Sequence, residues 1–194
     1  MDKLPTLSPA AGDGADAAAL AARITGPIVL VGMMGSGKSS VGRRLAGQLG
    51  LPFADAADEI ELAAGLKISE IFERYGEAQF RDGERRVIAR LMDAGPSVLA
   101  TGGGAFAQDA TRACILDRGV AVWLDAPLKI LVERTAKRGH RPLLNAGNPE
   151  SVLAALLAER TPAYSQAHVR IASDSSPHAR TVQTVITALG KHLA

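Results

Sequence analysis

A glycine-rich segment at residues 32–39 constrains the fold of this chain more than any other feature. It reads Gly-Met-Met-Gly-Ser-Gly-Lys-Ser and fits the pattern G-x-x-x-x-G-K-[ST] in full. An apolar run at residues 28–31 precedes it and a helix-like pattern at residues 38–49 follows it. This strand–loop–helix context is the one in which the pattern cradles phosphate, and it argues against a glycine-rich turn that matches by chance. The sequence therefore predicts a phosphate-binding loop.

The residue types of this loop suit a polyphosphate. The glycines let backbone N–H groups turn inward around an anion, and the following helix directs the positive end of its dipole at the same point. Lys38 can reach the β- and γ-phosphates, and the Ser39 hydroxyl can bind Mg²⁺. We therefore predict a nucleoside triphosphate as ligand and Mg²⁺ as cofactor, one ion per subunit.

Strand-like apolar runs alternate with helical patterns along the rest of the chain. The predicted strands are 27–31, 52–54, 97–100, 120–124 and 168–172. The predicted helices are 38–49, 57–64, 68–75, 77–94, 108–118, 127–138, 150–160 and 178–193. Such alternation is typical of a parallel sheet covered by helices on both faces. We therefore predict an α/β fold, with a five-stranded parallel sheet in one domain over residues 26–194.

Three segments depart from this alternation. Residues 56–95 insert extra helices after the second strand. Residues 137–149 are rich in Gly, Pro and Asn, which predicts a mobile lid over the phosphate site. Within that lid Arg141, fixed by Pro142, is a better candidate for neutralising phosphate charge than its neighbours Arg134, Arg138 and Arg160. Residues 1–25 are rich in Ala, Gly and Asp, which predicts a flexible extension with a short helix at 16–23.

Composition excludes several classes of function. A net charge of +2 gives no reason to propose a nucleic acid or a membrane as partner. Cys114 is the only cysteine, so no internal disulfide can form and the cytoplasm is the expected location. No exposed apolar stripe stands out, so we expect a monomer.

Two aspartates follow the second predicted strand, where the ligand crevice of an open parallel sheet lies. For Asp55 we favour a functional role, either holding Mg²⁺ through water or accepting a proton, over helix capping. For Asp58 we favour capping, because Glu61 lies three residues later, as a capping box requires.

Two further motifs are weaker taken singly. Arg81 and Glu84 are three residues apart on a predicted helix, so Glu84 can orient the Arg81 guanidinium to bind a carboxylate. From spacing alone, however, an ordinary solvent-exposed ion pair is favoured. Residues 102–104 are three successive glycines directly after the third predicted strand. They permit a ligand to touch the backbone or the chain to bend tightly.

Taken together, the motifs resemble one family, that of shikimate kinase, over residues 27–190. The resemblance rests on their order and spacing: residues 32–39, Asp55, Phe80-Arg81 with Glu84, Gly102–Gly104, Arg141-Pro142-Leu143-Leu144, and Arg160 with Tyr164. It implies a fold of the P-loop, nucleoside-monophosphate-kinase type with a three-layer α/β/α arrangement. It implies transfer of the ATP γ-phosphate to the 3-hydroxyl of shikimate, in aromatic amino-acid biosynthesis, and makes 56–95 the substrate-binding insertion.

The resemblance also implies roles for individual residues. It implies that ATP contacts Met33, Met34, Gly35, Ser36, Gly37, Lys38, Ser39, Ser40, Arg134, Arg141 and Pro177. It implies that the acceptor lies among Ala57, Phe72, Phe80, Arg81, Glu84, Gly102, Gly103, Gly104 and Arg160, with the two arginines on its carboxylate. Mg²⁺ is then held by Ser39, with Asp55 in its outer shell, and the catalytic residues are Lys38, Asp55 and Arg141.

One position departs from the family pattern. The family has Asp-x-Asp after the second strand, and its second carboxylate binds substrate hydroxyls; here the run is Asp55-Ala56-Ala57. Three explanations stay open: a replacement at residue 57, substitution by Asp58, or a different substrate. We favour replacement, and expect weak shikimate binding and low turnover with nucleotide binding retained. The rival functions are a small kinase acting on gluconate or a nucleoside monophosphate, and a non-catalytic nucleotide-binding regulator.

Overall fold

A computed structural model describes residues 12–136, 148–174 and 177–194 of the 194-residue chain. Its strands are β1 Ile28–Val31, β2 Phe53–Asp55, β3 Val98–Ala100, β4 Val120–Asp125 and β5 Val169–Ala172. Its helices are α1 Gly12–Ala21, α2 Lys38–Leu49, α3 Ala56–Ala64, α4 Ile68–Met92, α5 Asp109–Arg118, α6 Leu128–Ala136, α7 Pro149–Tyr164 and α8 His178–His192, with a 3₁₀ turn at Ala105–Ala107. None of these helices combines the length and apolarity needed to cross a bilayer.

The five strands form one sheet in the order β2-β3-β1-β4-β5, and every pairing is parallel. Side chains on successive strand residues point to opposite faces, so a strand buried on both faces must be apolar throughout. In β1, Ile28 and Leu30 enter one core cluster while Val29 and Val31 enter the other. The predicted α/β fold with helices on both faces of a five-stranded sheet is confirmed.

The long helix α4 is broken at one residue. Gly76 has φ 77° and ψ 174°, which is not helical, so two helices meet there. Glycine reaches this region because it has no Cβ. The separate helices predicted at 68–75 and 77–94 are therefore confirmed, although helical hydrogen bonding joins them across the break.

The first helix requires a correction. Residues 12–21 form α1, and the side chains of Ala17 and Leu20, with Ile24 beyond the helix, are buried in the core cluster that α2 and α8 also enter. The short helix predicted at 16–23 is therefore present with bounds 12–21, and it packs on the core instead of lying in a flexible extension, because these apolar residues recur at helical spacing. Residues 1–11 of that extension, and all but the last two residues of the lid predicted at 137–149, lie outside the described residues.

The sheet order fixes where a ligand can bind. β1 lies between β3 and β4, and β2 lies beyond β3. Asp55 at the end of β2 pairs in register with Ala100 at the end of β3, and Leu30 pairs with the same residue from the other side. The loops that leave β1, β2 and β3 therefore open at one edge of the sheet, where the phosphate loop, Asp55 and the three glycines at 102–104 lie.

Candidate active site

The glycine-rich loop leaves the carboxyl end of β1 and ends at the first turn of α2. Gly32 has φ +131°, and a Cβ there would lie 2.6 Å from the Leu124 carbonyl oxygen, so no side chain fits. Gly37 has φ +98° and is the N-cap of α2, with no capping side chain. The first N–H groups of α2 are consequently left for a ligand, as an anion site requires.

Lys38 lies inside this loop. Its Nζ donates to the carbonyl oxygens of Gly32 and Met33, both at 2.8 Å, and its side chain is mostly buried. These bonds hold the ammonium group over the mouth of the loop. The positive charge therefore faces the same cavity as the N-terminus of α2.

Ser39 and Asp55 meet beside the loop. The Ser39 hydroxyl donates to Oδ2 of Asp55 at 2.6 Å, while the Ala57 N–H donates to Oδ1 at 3.1 Å. Asp55 is therefore both the N-cap of α3 and a partner of the phosphate loop. A hydroxyl and a carboxylate are oxygen donors of the kind that Mg²⁺ takes, so this pair fits the predicted metal.

The capping role predicted for Asp58 is wrong. Asp55 caps α3, so Asp58 falls in the first turn of that helix, where its carboxylate lies 3.4 Å from the Arg43 guanidinium. The Asp58 side chain is 71% exposed. Ala57 lies on the cavity wall, and no carboxylate replaces it at that position.

Arg81 and Glu84 form a pair beneath the acceptor side of the cavity. Nη1 of Arg81 donates to Oε2 of Glu84 at 2.6 Å, and Nη2 donates to Glu77 at 3.0 Å. The side chains of Arg81 and Glu84 are only 13% and 3% exposed. Burial raises the pKa of the Glu84 carboxyl, and the Arg81 guanidinium opposes this rise. The ordinary exposed ion pair that spacing favoured is therefore not what the structure has.

The three glycines after β3 bring backbone against this pair. A Cβ on Gly102 would lie 2.6 Å from Oε1 of Glu84, and a Cβ on Gly104 would lie 2.5 Å from Nη2 of Arg81. A Cβ on Gly103 would lie 3.1 Å from the Met34 nitrogen. Residues 102–104, which we call the glycine turn, thus have no room for side chains between α4 and the phosphate loop.

Arg160 approaches the glycine turn from α7. It is 5% exposed, and its Nη1 is buried with no hydrogen-bond partner among the described residues. That nitrogen lies 3.6 Å from the place where a Cβ of Gly103 would stand. A buried guanidinium N–H without an acceptor is costly, which points to a ligand oxygen as the missing partner.

Two aromatic rings complete the acceptor side. Phe72 and Phe80 lie with ring centroids 4.5 Å apart, and the Arg81 guanidinium lies 5.1 Å from the Phe80 centroid. Both belong to a small apolar cluster with Ile60 and Ile71 that is separate from the two main core clusters. This cluster supports the insertion and gives the cavity an apolar wall.

On the opposite side, Arg134 of α6 reaches across the phosphate loop. Its Nη1 donates to the Gly35 carbonyl at 3.4 Å and its Nη2 to the Asp174 carbonyl at 2.6 Å. Pro177 is the N-cap residue of α8. The predicted lid residue Arg141 lies outside the described residues.

One cavity of about 1110 Å³ joins these parts. Its wall includes the following predicted residues: Met34, Gly35, Gly37, Lys38, Ser39, Ser40, Asp55, Ala57, Phe72, Phe80, Arg81, Glu84, Gly102, Gly103, Gly104, Arg134 and Arg160. Met33 and Ser36 are buried in the loop behind the wall.

Sequence reasoning gave no site role to the other wall residues, namely Arg43, Arg44, Asp58, Glu61, Lys67, Ile68, Ser69, Thr101 and His178. His178 is the first residue of α8, and its ring lies 3.5 Å from the position of a Gly37 Cβ. Only its place after the fifth strand could have indicated this. Among the described residues no group of three or more His, Cys, Asp or Glu side chains could hold a metal.

Comparisons with known proteins agree with this geometry. The family model described as shikimate kinase matches residues 34–190. A shikimate kinase of Bradyrhizobium diazoefficiens is 55% identical over 166 residues, covering 86% of this chain and 80% of the relative. A shikimate kinase of Novosphingobium aromaticivorans is 54% identical over 175 residues, covering 88% and 91%.

Solved structures give the same result. Shikimate kinase from Acinetobacter baumannii in complex with shikimate superposes with a TM-score of 0.81 at 40% identity, covering 84% of this chain and 91% of that one. A gluconokinase from Sinorhizobium meliloti superposes with a TM-score of 0.60 at 21% identity, covering 86% and 92%. The second likeness shows the fold alone.

Proposed function

The chain belongs to the shikimate kinase family, and on that premise we propose that it transfers the γ-phosphate of ATP to the 3-hydroxyl of shikimate, giving shikimate 3-phosphate and ADP. The observation that carries this proposal is the buried Nη1 of Arg160, which has no partner within the described part of the chain and lies beside the glycine turn that also meets Arg81. Two guanidinium groups next to a phosphate loop suit an acceptor that has a carboxylate and hydroxyls.

The phosphate loop supplies the donor half of the reaction. We assign the triphosphate to the N–H groups that begin α2 and to Lys38, whose Nζ is already held at the loop by two carbonyl oxygens. Arg134 lines this end of the cavity, as does His178, which follows Pro177, and we place the adenine there. Arg141 remains the predicted lid residue that reaches the phosphates.

The acceptor half consists of groups that cannot easily move. Glu84 is buried and fixes the Arg81 guanidinium in one orientation, while the backbone of the glycine turn stands between Arg81 and Arg160. A carboxylate held by both arginines then presents ring hydroxyls to the phosphate loop. Positioning of this kind supplies most of the catalysis in phosphoryl transfer, because the protein forms no covalent bond with the phosphoryl group.

The mechanism that follows is direct in-line transfer. Lys38 neutralises charge that develops on the transferring group, and the buried arginines keep the acceptor oxygen in line with it. The Ser39 hydroxyl and the Asp55 carboxylate would hold Mg²⁺, the second in the outer shell. Mg²⁺, when bound, supplies charge neutralisation on the β- and γ-phosphate oxygens. We propose, as the lid predicted at 137–149 implies, that its closure excludes water that would otherwise hydrolyse ATP.

The alanine at position 57 weakens this proposed activity. Its N–H is already used by Asp55 and its methyl group faces the cavity, so no side-chain acceptor meets a substrate hydroxyl there. Asp58 lies next to Ala57 on the cavity wall, but its carboxylate pairs with the Arg43 guanidinium at 3.4 Å. We propose weak shikimate binding and low turnover with nucleotide binding kept.

The proposal also covers the location, the oligomeric state and the partners of the protein. We propose a cytoplasmic monomer with one Mg²⁺ per active site and without nucleic-acid or membrane partners. A single cysteine and a net charge of +2 support this. Light scattering of the purified chain tests the oligomeric part, and a mass twice that of the chain would contradict it.

A coupled assay of ADP release tests the proposed reaction. The chain is incubated with Mg²⁺ and ATP, and shikimate, gluconate or a nucleoside monophosphate is added in turn. ADP release that depends on shikimate alone supports the proposal, while dependence on gluconate or on a nucleotide supports the corresponding small kinase. If neither this chain nor its Ala57→Asp variant responds to any acceptor, the chain is a nucleotide-binding regulator.

A further inference from the structure

The hydroxyl group of Tyr164 joins three parts of the site that lie far apart in the sequence. Its Oη donates to the carbonyl oxygen of Gly103, in the glycine turn. The same oxygen lies 3.7 Å from Sδ of Met33, at the start of the phosphate loop. Tyr164 itself lies on α7, four residues after Arg160 and on the same side of that helix. The Tyr164 side chain thus contacts both the phosphate loop and the glycine turn, and it belongs to the same helix as Arg160.

The ring of Tyr164 is held so that its hydroxyl has one position. The side chain is fully buried, and its ring stacks against Trp123 of β4 with centroids 5.8 Å apart and planes 30° apart. Burial raises the pKa of the hydroxyl to about 12, although the nearby Arg160 guanidinium opposes the rise. The group therefore stays protonated at working pH and keeps donating to Gly103.

Arg160 lies against the turn that this hydroxyl holds. Its Nη1 has no partner among the described residues and lies 3.6 Å from the position of a Gly103 Cβ. Tyr164 therefore fixes the backbone of the glycine turn against which the Arg160 guanidinium lies. Both groups are those assigned above to the acceptor.

Resting on the proposed function, we infer that Tyr164 is a positioning residue for the acceptor, which sets the separation between the carboxylate-binding Arg160 and the backbone of the glycine turn. Nothing in this role requires contact between Tyr164 and the acceptor. Loss of the hydroxyl should release the Gly103 carbonyl and let the turn and Arg160 move apart. Acceptor binding should suffer, while the phosphate loop keeps its own backbone bonds.

The test compares two variants that each lose one hydroxyl from α7. Tyr164→Phe removes the positioning group. Thr161→Val is the matched control, because within the described residues the Thr161 hydroxyl donates to the Leu157 carbonyl of its own helix, at 2.6 Å. We expect Tyr164→Phe to raise KM and the calorimetric Kd for shikimate about three- to tenfold, as the loss of one hydrogen bond predicts. KM for ATP and kcat should change less than twofold, and Thr161→Val should resemble the parent chain.

The outcomes separate this inference from the proposed function. If the parent chain binds and turns over shikimate but Tyr164→Phe matches Thr161→Val in every constant, the positioning role is overturned alone. Equal losses for ATP and shikimate mean a general structural role and also overturn it. If the parent chain neither binds nor phosphorylates shikimate, both proposals fail.

A second measurement covers a Tyr164→Phe variant that does not fold. Tyr75 and Tyr164 are the two tyrosines of the chain, so labelling with 3-fluorotyrosine gives two ¹⁹F signals, and the exposed Tyr75 is the internal reference. We expect shikimate to shift the Tyr164 signal and leave that of Tyr75 in place. A Tyr164 signal that does not move at saturating shikimate contradicts the inference.

Discussion

The guanidinium of Arg81 donates to the carboxylate of Glu84 across 2.6 Å, in a place where almost no solvent reaches either side chain. Burying this pair costs free energy, because removal from water disfavours the charged form of a carboxylate even next to a cation. The pKa of Glu84 shows this cost, because burial raises it although the Arg81 guanidinium acts to lower it. The cost is accepted in return for a guanidinium with a fixed orientation.

A pH dependence of stability follows from that pair. Because the folded-state pKa of Glu84 is raised above its ordinary value of 4.5, the unfolded chain loses this proton first as the pH rises. Its contribution to the free energy of unfolding is therefore fully present below the ordinary value, and is lost as the pH rises through the raised one. Glu84→Gln removes the titration, so parent stability should fall relative to the variant across that window. Urea unfolding at a series of pH values measures it, and a constant difference would contradict it.

Removal of the Arg160 guanidinium should act on one substrate only. Arg160→Ala takes away the buried nitrogen that has no partner in the described structure. Loss of a charged hydrogen bond to the acceptor carboxylate predicts a KM for shikimate raised about 10- to 100-fold. KM for ATP should stay within about twofold. Arg86→Ala, which removes an exposed arginine paired with Asp82 on α4, is the control, and steady-state kinetics with each substrate distinguish the two.

The glycine turn should not tolerate a methyl group. A Cβ at Gly104 would lie 2.5 Å from Nη2 of Arg81, so Gly104→Ala must displace that guanidinium. We expect loss of measurable shikimate binding by calorimetry, with ATP binding retained. Gly83→Ala is the matched control, because a Cβ there meets nothing within 4 Å and helix propensity predicts a gain of about 0.5–1 kcal/mol in stability. Unchanged shikimate binding in Gly104→Ala would count against the proposed acceptor site.

Ala57→Asp should increase activity. The position lines the cavity beside Asp55, and the resemblance to the family places an acceptor-binding carboxylate there. A hydrogen bond to a substrate hydroxyl from a charged group predicts kcat/KM for shikimate raised about 10-fold or more. Asp58→Ala is the companion variant: little effect is expected, since that carboxylate lies at the surface with Arg43. No gain from Ala57→Asp would reject the role assigned to residue 57.

Much of the fold could be predicted, for a physical reason. The three central strands β1, β3 and β4 are short apolar runs bounded by turns, and burial on both faces leaves them little alternative. The break at Gly76 and the turn of Gly102–Gly104 were visible as glycines. A short helix was predicted near α1, but its packing was not, because the burial of Ala17, Leu20 and Ile24 depends on α2 and α8.

The residues of the site could be predicted, but their burial and their contacts with one another could not. Spacing placed Arg81 and Glu84 on one helical face, yet their burial comes from the glycine turn, which is distant in the sequence. Spacing favoured Asp58 as the cap of α3, whereas the end of β2 makes Asp55 the cap and also directs it to Ser39. Contacts across the sheet decide such matters, and local pattern does not carry them.

Identification of the reaction product tests the central claim most directly. The chain is incubated with Mg²⁺, ATP and shikimate, and the mixture is followed by ³¹P NMR with correlation to ring protons. We predict a new phosphate-ester signal coupled to the proton on carbon 3 of shikimate, appearing as ADP accumulates, and more rapidly with Ala57→Asp. ADP without an ester signal, or an ester at another hydroxyl, would contradict the account.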